Sequence, residues 1–294
     1  MSKKNIVCFG EVLWDLLPTG KIAGGAPMNV AAHANQLGLD ASMISAVGDD
    51  ELGDGITSFL LRRGLSVENI QKNEYQTGIV EVTLDTKGSP SYTIIEPVAW
   101  DFVRLTETAK KAIQEADALV FGSLALRNEV SKQTLLQLQA DAKLRILDIN
   151  LRKPFYTSEL VEKLFRVADI VKVNDEELEM ICTWYGQTGD EIQNASFLKD
   201  RYQLKGIIVT RGGNGAFFVD DNNEVSDHQG FKVTVSDTIG SGDSFLASFI
   251  TKWLNGETPA EALKFACAVG AFVATQKGAT PVISEQDIKL IIDN

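Results

Sequence analysis

A glycine-rich loop at residues 237–243 (DTIGSGD) has the composition of an anion-binding site. Its glycines let successive backbone N–H groups converge on one point. The apolar residues after Asp243 recur at helical spacing, so the positive end of a helix should lie at the same point. Residues 231–235 alternate in polarity and predict a strand before the loop. We therefore expect a strand, an anion-binding loop and a helix, in that order.

Asp243 then places a carboxylate next to a site suited to anions. An acidic residue in the first turn of a helix commonly caps the helix or interacts favourably with its dipole. A carboxylate beside amides that hold a phosphoryl group can instead be the general base that takes a proton from a hydroxyl. The residue types alone leave both interpretations open.

A second candidate site lies near the N-terminus, where Gly24 and Gly25 precede a helical pattern that contains Asn29. Paired glycines permit close approach of a ligand, and the Asn29 amide can both donate and accept hydrogen bonds. Asp15 lies shortly before them. A simple turn followed by a helix start is the other interpretation of this segment.

These residues must be positioned by the surrounding elements, and short apolar runs alternate with helix-length periodic segments along most of the chain. We predict strands at 5–9, 42–47, 118–121, 145–149, 170–173 and 206–210, and helices at 27–37, 51–63, 131–142 and 190–202. This alternation indicates an α/β fold with a mostly parallel sheet covered on both faces. Residues 78–84 and 91–95, on either side of the turn 85–90 (DTKGSP), predict a hairpin that is either a flap or a decoration.

Polar residues follow three of the predicted strands, at the edge where open α/β sheets bind ligands. Arg152 follows the strand at 145–149, and Asn174 and Glu177 follow the strand at 170–173. Asn174 with Glu177 also has the pattern of a capped helix start. Thr210 ends the strand predicted at 206–210, and Gly212 and Gly215 lie in the loop after it.

Residues 237–245 (DTIGSGDSF) resemble the C-terminal signature of the PfkB (ribokinase-like) carbohydrate kinases, D-T-x-G-A/S-G-D. Residues 24–31 (GGAPMNVA) resemble the other signature of that family, G-G-A-x-x-N-x-A. Further matches follow the family order along nearly the whole chain. The resemblance implies a ribokinase-like three-layer α/β/α sandwich over residues 1–294, with a mostly parallel central sheet. It also implies a small β lid formed by inserted segments at about 12–23 and 76–101.

The resemblance assigns expected roles to individual residues. Asp243 would be the general base, and the backbone amides of Gly240, Ser241 and Gly242 would form the anion hole. The sugar would be bound by Asp15, Gly24, Gly25, Asn29 and Arg152. ATP would be bound near Asn174, Glu177, Thr210, Gly212 and Gly215, with Glu177 acting on Mg²⁺ through water. Some members of the family also bind a monovalent cation such as K⁺, here through backbone carbonyls of Asp237, Ile239 and Gly278.

Composition and motifs disfavour several other classes of protein function. Asp and Glu total 40 against 28 Lys and Arg, a net charge of −12 that disfavours a nucleic-acid partner. No apolar run approaches the ~18 residues of a membrane span. P-loop and dinucleotide-binding glycine motifs are absent from the sequence, and its two histidines belong to no cluster of metal ligands. We expect a cytoplasmic enzyme that uses ATP and Mg²⁺, and the resemblance implies a homodimer formed through the lid.

The choice of sugar depends on the lid and on local resemblance. The predicted lid strand contains Glu96 and no basic residue, which disfavours an acid sugar such as 2-keto-3-deoxygluconate. Residues 10–15, 97–101 and 121–124 look most like bacterial fructokinases, so D-fructose is the expected substrate. Ribokinase and 2-keto-3-deoxygluconate kinase are the alternatives within the family. A catalytically silent sugar- or nucleotide-sensing protein is the alternative from another class, and the intact base at Asp243 disfavours it.

Overall fold

The structure is a computed structural model that describes residues 3–17, 20–84 and 90–293. Thirteen strands lie within these residues: β1 (Asn5–Phe9), β2 (Leu13–Leu17), β3 (Gly20–Gly24), β4 (Asp40–Gly48), β5 (Ile70–Asn73), β6 (Gly78–Leu84), β7 (Pro90–Ile94), β8 (Ala118–Gly122), β9 (Arg145–Asp148), β10 (Ile170–Asn174), β11 (Gly206–Thr210), β12 (Ala216–Asp220) and β13 (Val225–His228). All six core strands predicted from the sequence are present, and none of their ends differs by more than two residues.

Ten α-helices lie in the same part of the chain: α1 (Ala26–Gln36), α2 (Glu51–Arg62), α3 (Glu107–Glu115), α4 (Glu129–Leu138), α5 (Ser158–Val167), α6 (Asp175–Trp184), α7 (Glu191–Tyr202), α8 (Ser241–Leu254), α9 (Pro259–Ala274) and α10 (Glu285–Asp293). The four helices predicted from periodicity correspond to α1, α2, α4 and α7. Within the described ranges, no helix combines the length and the apolar character needed to cross a bilayer.

Nine strands form one large sheet in the order β13-β12-β11-β10-β9-β8-β1-β4-β5. The seven strands from β11 to β5 pair in parallel, and β12 and β13 add an antiparallel edge. The carboxyl ends of the parallel strands meet along one edge of the sheet, where open α/β sheets bind ligands.

Helices cover both faces of this sheet, as the alternation of side chains along β1 illustrates. Val7 and Phe9 pack into one apolar core with residues of α3 to α7. Ile6 and Cys8 point to the opposite face and pack with residues of α1, α2, α8 and α9. The strands are therefore buried on both sides, which explains why they are continuous apolar runs in the sequence. The expected three-layer α/β/α arrangement is confirmed.

A second, four-stranded sheet has the order β3-β2-β6-β7. β2 pairs with β3 and β6 pairs with β7, both antiparallel, while β2 and β6 are parallel. The predicted hairpin is thus the pair β6 and β7, although residues 85–89 of its turn lie outside the described residues. The two segments expected to form a lid do build one small sheet.

The prediction of a strand at 231–235 was wrong. The last strand of the large sheet is β13, and residues 231–235 are not in a strand. Their alternation has another physical origin, because Phe231, Val233 and Val235 border a cavity, with Phe231 and Val233 partly buried and Val235 exposed, while the polar residues between them face solvent. One-sided contact with a cavity produces the same period of two as a half-buried strand.

Candidate active site

The glycine-rich loop ends at Gly240, the residue before α8. Gly240 has a φ of 77°, and a Cβ at this position would lie 2.3 Å from the carbonyl oxygen of Ala279. Only glycine combines that backbone conformation with such close contact. The chain can therefore turn sharply here, and the first turn of α8 borders a cavity that Gly240, Gly242 and Asp243 help to line.

The amides at this helix start differ in their availability. The N–H of Ser241 donates to the carbonyl of Thr238 at 3.2 Å, and the Ser241 hydroxyl donates to the carbonyl of Gly270. Within the described part of the chain, no acceptor is paired with the amides of Gly240 or Gly242. The geometry therefore favours Gly240 and Gly242 as donors to an anion, while Ser241 is already engaged in holding α8 against α9. The anion hole itself stays a prediction.

Asp243, in the first turn of α8, is joined to the distant N-terminal half of the chain. Its Oδ2 accepts a hydrogen bond of 2.8 Å from Nδ2 of Asn29. No side chain caps the start of α8, so the carboxylate does not serve as a helix cap. The pKa of Asp243 is raised to about 6, mainly by removal from water and also by the charge of Asp148, while the hydrogen bond from Asn29 and the charges of Lys172 and Arg152 lower it. A carboxyl group with such a pKa is mostly ionised at neutral pH and binds a proton more readily than a free carboxylate does.

Asn29 reaches Asp243 because of the way in which α1 begins. Gly25 precedes the helix with a φ of 118°, and a Cβ there would lie 2.3 Å from the carbonyl oxygen of Glu11. Gly24 leaves room for Asp15, since a Cβ on Gly24 would lie 2.8 Å from an Asp15 carboxylate oxygen. The two glycines thus let the chain pass closely between neighbouring groups of the protein, while close approach of a ligand to them stays a prediction.

A cavity of about 490 Å³ brings most of the predicted site residues together. It is lined by Asp15, Gly24, Gly25, Asn29, Arg152, Asn174, Glu177, Thr210, Ile239, Gly240, Gly242 and Asp243. The small sheet covers one side of it through Leu13, Val80 and Ile94. Glu96 lies elsewhere, in a small cleft with Asp101 and Arg127, so its expected effect on the choice of sugar has no structural basis.

Arg152 supplies the exposed positive charge of this cavity. It lies near two carboxyl groups of the cavity wall, and its charge lowers the pKa of both Asp15 and Asp243. The larger effect on Asp15 is burial, which raises its pKa to about 6. The cavity lining therefore has more acidic than basic side chains, with Glu11, Asp15, Glu177 and Asp243 on one side of the balance and Arg152 and Lys172 on the other.

A second cavity, of about 430 Å³, adjoins the first and shares Asn174, Thr210, Thr238 and Gly242 with it. Gly212, Gly215 and Ser241 line the second cavity, together with apolar residues that include Phe231 and Ala271. Gly215 has a φ of 83°, and its close contact with the carbonyl of His228 leaves no room for a side chain. The two cavities meet at the start of α8, where Gly242 borders both.

Asn174 and Glu177 form a capping box at the start of α6, as one interpretation of the sequence predicts. The Asn174 side chain accepts from the N–H of Glu177, and Glu177 Oε2 accepts from the N–H of Asn174. Glu177 Oε1 accepts from the N–H of Leu151 at 2.7 Å. Burial raises the pKa of Glu177. This carboxylate therefore has a structural role at the edge of the cavity, which leaves any contact with a cation to its remaining lone pairs.

The three residues expected to bind a monovalent cation lie together. Asp237 Oδ1 accepts from the N–H of Ile239 at 3.0 Å, and Asp237 Oδ2 accepts from the N–H of Gly278 at 3.2 Å. One side chain thus holds the loop before α8 against the turn after α9. Whether their carbonyls bind a cation stays a prediction.

Sequence reasoning missed three polar residues near the site. Lys172 lines the first cavity and is paired with Asp148, and both are buried. Glu11 is also buried, with Oε1 accepting from the N–H of Ala26 at 3.2 Å, and burial raises its pKa to about 7. The sequence could have indicated Lys172, because it is the one charged residue in the apolar run 170–173 (IVKV). A lysine is rarely buried without a partner, so its position in a buried strand predicts an acidic neighbour.

Comparisons with known proteins agree with this geometry. The family model described as pfkB family carbohydrate kinase matches residues 3–286. The chain is 31% identical to Fructokinase-2 of Oryza sativa subsp. japonica, over 95% of this chain and 90% of that protein. It is 30% identical to Fructokinase-2 of Solanum lycopersicum, over 96% and 94%. Among solved structures it resembles a fructokinase double mutant from Vibrio cholerae O395 with fructose, ADP and potassium ion bound, with a TM-score of 0.85, 25% identity and 99% of each chain covered.

Proposed function

The chain belongs to the pfkB family of carbohydrate kinases, and we propose that it transfers the γ-phosphoryl group of ATP to D-fructose. The observation that carries this proposal is the hydrogen bond of 2.8 Å between Asn29 and Asp243. It joins the two signature segments of the chain, one suited to a sugar and one suited to a phosphoryl group, at the floor of a single cavity. The chain also aligns over nearly its whole length with proteins named as fructokinases.

Each of the two adjoining cavities binds one of the two substrates in this proposal. The sugar occupies the cavity lined by Asp15, Asn29 and Arg152, and the nucleotide occupies the cavity lined by Thr210, Gly212 and Gly215. The γ-phosphoryl group then lies where the cavities meet, next to the amide of Gly242. Adjoining sites for the sugar and the nucleotide suit in-line transfer, in which the attacking and leaving oxygens lie on opposite sides of phosphorus.

Asp243 acts as the general base in this reaction. It takes the proton from a primary hydroxyl of the sugar while that oxygen bonds to phosphorus, and the bond to the bridging oxygen of ADP breaks. Asn29 donates to Oδ2 of Asp243 and thereby orients the carboxylate. The free amides of Gly240 and Gly242 stabilise the negative charge on the phosphoryl oxygens.

The residues at the junction fit Mg²⁺. Each oxygen of Glu177 uses one lone pair on a backbone N–H, which leaves lone pairs for the water ligands of a hydrated ion. Magnesium keeps several waters and takes few direct protein ligands, so this sparse site suits it. When bound, Mg²⁺ would offset the negative charge of the transferring phosphoryl group.

A monovalent cation and a moving lid complete the proposal. K⁺ is bound by carbonyls of the loop and turn that Asp237 holds together, and the potassium ion in the similar Vibrio cholerae structure supports this choice. The small sheet closes over the sugar and excludes water, which limits the hydrolysis of ATP. The edge strand β3 exposes Gly20, Lys21 and Ile22, and it pairs with a second copy to form a homodimer.

The substrate is a neutral sugar, because the cavity wall is acidic. Arg152 faces Asp15, Asp243 and the buried Glu11, so it has little charge left to bind an anionic sugar. The small sheet adds the apolar Leu13, Val80 and Ile94 and the acidic Asp15 to this cavity, and no described residue of the sheet adds a basic group to it. A cytoplasmic location belongs to the same proposal, because Cys8, Cys182 and Cys267 are all free thiols.

Phosphorus-31 NMR of the purified chain with Mg²⁺, K⁺, ATP and D-fructose tests this function. We expect ADP and a sugar phosphate to form in equal amounts. The formation of ADP and inorganic phosphate without a sugar phosphate would contradict it, since the chain would then hydrolyse ATP rather than transfer its phosphoryl group.

A further inference from the structure

A buried ion pair lies directly beneath the junction of the two cavities. Lys172 and Asp148 are partners on the neighbouring parallel strands β10 and β9. Nζ of Lys172 lies 2.8 Å from Oδ1 and 3.0 Å from Oδ2 of Asp148. Only 6% of Lys172 and 4% of Asp148 is exposed. Burying two charges opposes folding unless the pair has excellent geometry, so a pair at this place needs an explanation beyond stability.

Lys172 also borders the cavity, while its partner lies behind it. Nζ lies 3.5 Å from the position that a Cβ on Gly242 would occupy. An ammonium group has three N–H donors, and two of them are used by the carboxylate of Asp148. The third has no acceptor in the described part of the chain. The free donor and the free amide of Gly242 therefore border the same space.

We propose that Lys172 is a catalytic residue that donates its third N–H to the phosphoryl group during transfer, and that Asp148 is a positioning residue that holds the ammonium in place. The inference rests on the proposed phosphoryl transfer. Lys172 keeps all its protons throughout: the sugar oxygen bonds to phosphorus, its proton goes to Asp243, and ADP leaves with the electron pair of the broken bond. The lysine stabilises the charge that spreads over the phosphoryl oxygens.

The charges around Asp243 are consistent with this arrangement. Lys172 and Arg152 lower the pKa of Asp243, whereas Asp148 raises it. Glu11 lies near enough for its own pKa to be raised by the charge of Asp243, and Lys172 itself is influenced by Asp148, Glu177 and Asp243. Burial lowers the pKa of Lys172, but the charges of Asp148, Glu177 and Asp243 together outweigh that effect, so the net shift of its pKa is upward and the ammonium stays protonated.

The test replaces the whole pair, because removing one partner would leave an unpaired buried charge and destabilise the fold. The double variant K172M/D148N keeps a neutral pair of similar volume, and K172R keeps the cation. We expect the double variant to unfold near the wild-type temperature and to retain its KM for the sugar that the wild type uses. Its kcat should fall by about 10²-fold, as after loss of one donor to a transition-state charge, and K172R should recover part of it.

A purely structural pair predicts a different result. If the pair only stabilises the fold, the double variant should turn over within about threefold of the wild type, and that outcome would overturn the inference. A wild type that is inactive with every sugar would instead refute the proposed function and leave this comparison without a reference rate.

A binding measurement covers the case in which the double variant is poorly stable. In the presence of the sugar and Mg²⁺, calorimetry would compare the affinity of ADP with and without aluminium fluoride, which mimics the transferring phosphoryl group. K172R and the wild type should bind ADP more tightly when aluminium fluoride is present. The double variant K172Q/D148N, in which two neutral amides replace the buried charges, should bind ADP alone normally and lose this increase. An unchanged increase in K172Q/D148N would refute the proposed contact.

Discussion

The substitution Asp243→Asn separates the catalytic role of this residue from its structural one. The asparagine side chain retains an oxygen that can accept the hydrogen bond from Asn29, so the local geometry is preserved while the base is lost. General-base catalysis typically contributes 10²–10⁴-fold, so we expect kcat to fall by about 10²-fold or more. The KM for the sugar should change much less, because the contact with Asn29 remains.

The thermal stability of the Asp243→Asn variant should rise, although its kcat falls. The pKa of Asp243 is raised to about 6 in the folded chain, so the ionised carboxylate opposes folding at every pH above that value. A shift of this size corresponds to an effect on the order of 2–3 kcal/mol at neutral pH, which fades between about pH 6 and pH 4 as the folded chain binds a proton. The asparagine variant avoids this penalty. We therefore expect it to melt at a higher temperature than the wild type at pH 7.5.

The pH dependence of turnover gives a second measure of the same group. In the wild type, kcat/KM should fall to half near pH 6 and to about a tenth near pH 5, because the base must be ionised in the free enzyme. Turnover by coupled ADP release and melting by calorimetry are the assays. The matched control is Asp54→Asn, which changes an exposed first-turn carboxylate of α2 and should alter neither quantity appreciably. Near-wild-type turnover in Asp243→Asn would refute the general-base assignment.

Three further perturbations test the account. Gly240→Ala should reduce kcat at least tenfold, because the added Cβ would lie 2.3 Å from a carbonyl oxygen. Gly256→Ala is the control, since Gly256 has a similar positive φ but open space around it, and its kcat should be unchanged. Equal rates in the two variants would contradict this steric explanation. Asn29→Ala should move the acid limb of the rate profile above pH 6, because its hydrogen bond lowers the pKa of Asp243, and an unmoved limb would argue against this contact. Replacing K⁺ by tetramethylammonium should lower kcat at constant ionic strength, and equal turnover in both salts would remove the cation from the mechanism.

The fold was largely predictable because its strands are buried on both faces. Continuous apolar runs separated by periodic segments leave few alternatives to a parallel α/β sheet. The failure at 231–235 shows the limit of periodicity. Phe231, Val233 and Val235 border a cavity. Apolar residues alternate with polar ones in the same way whether the apolar side chains contact a cavity or the core side of a sheet.

The site was predictable where glycine is required and less so where charges are buried. Gly240 and Gly25 adopt backbone conformations that other residues rarely adopt, and they stand next to Asp243 and Asn29 in recognisable spacing. The pair of Lys172 and Asp148 escaped notice because its meaning depends on strand register. No local pattern reveals that residues 24 positions apart become neighbours on adjacent strands.

The central claim is the identity of the reaction and its sugar. The most direct measurement is kcat/KM by ADP release with Mg²⁺-ATP and K⁺, compared across D-fructose, D-ribose, 2-keto-3-deoxygluconate, fructose 6-phosphate and adenosine. We expect D-fructose to be used at least about tenfold more efficiently than any other acceptor, a difference of about 1.4 kcal/mol in transition-state binding. Preferred turnover of the keto-acid or the sugar phosphate would contradict it, because the acidic wall formed by Glu11, Asp15 and Asp243 would then have to bind an anion.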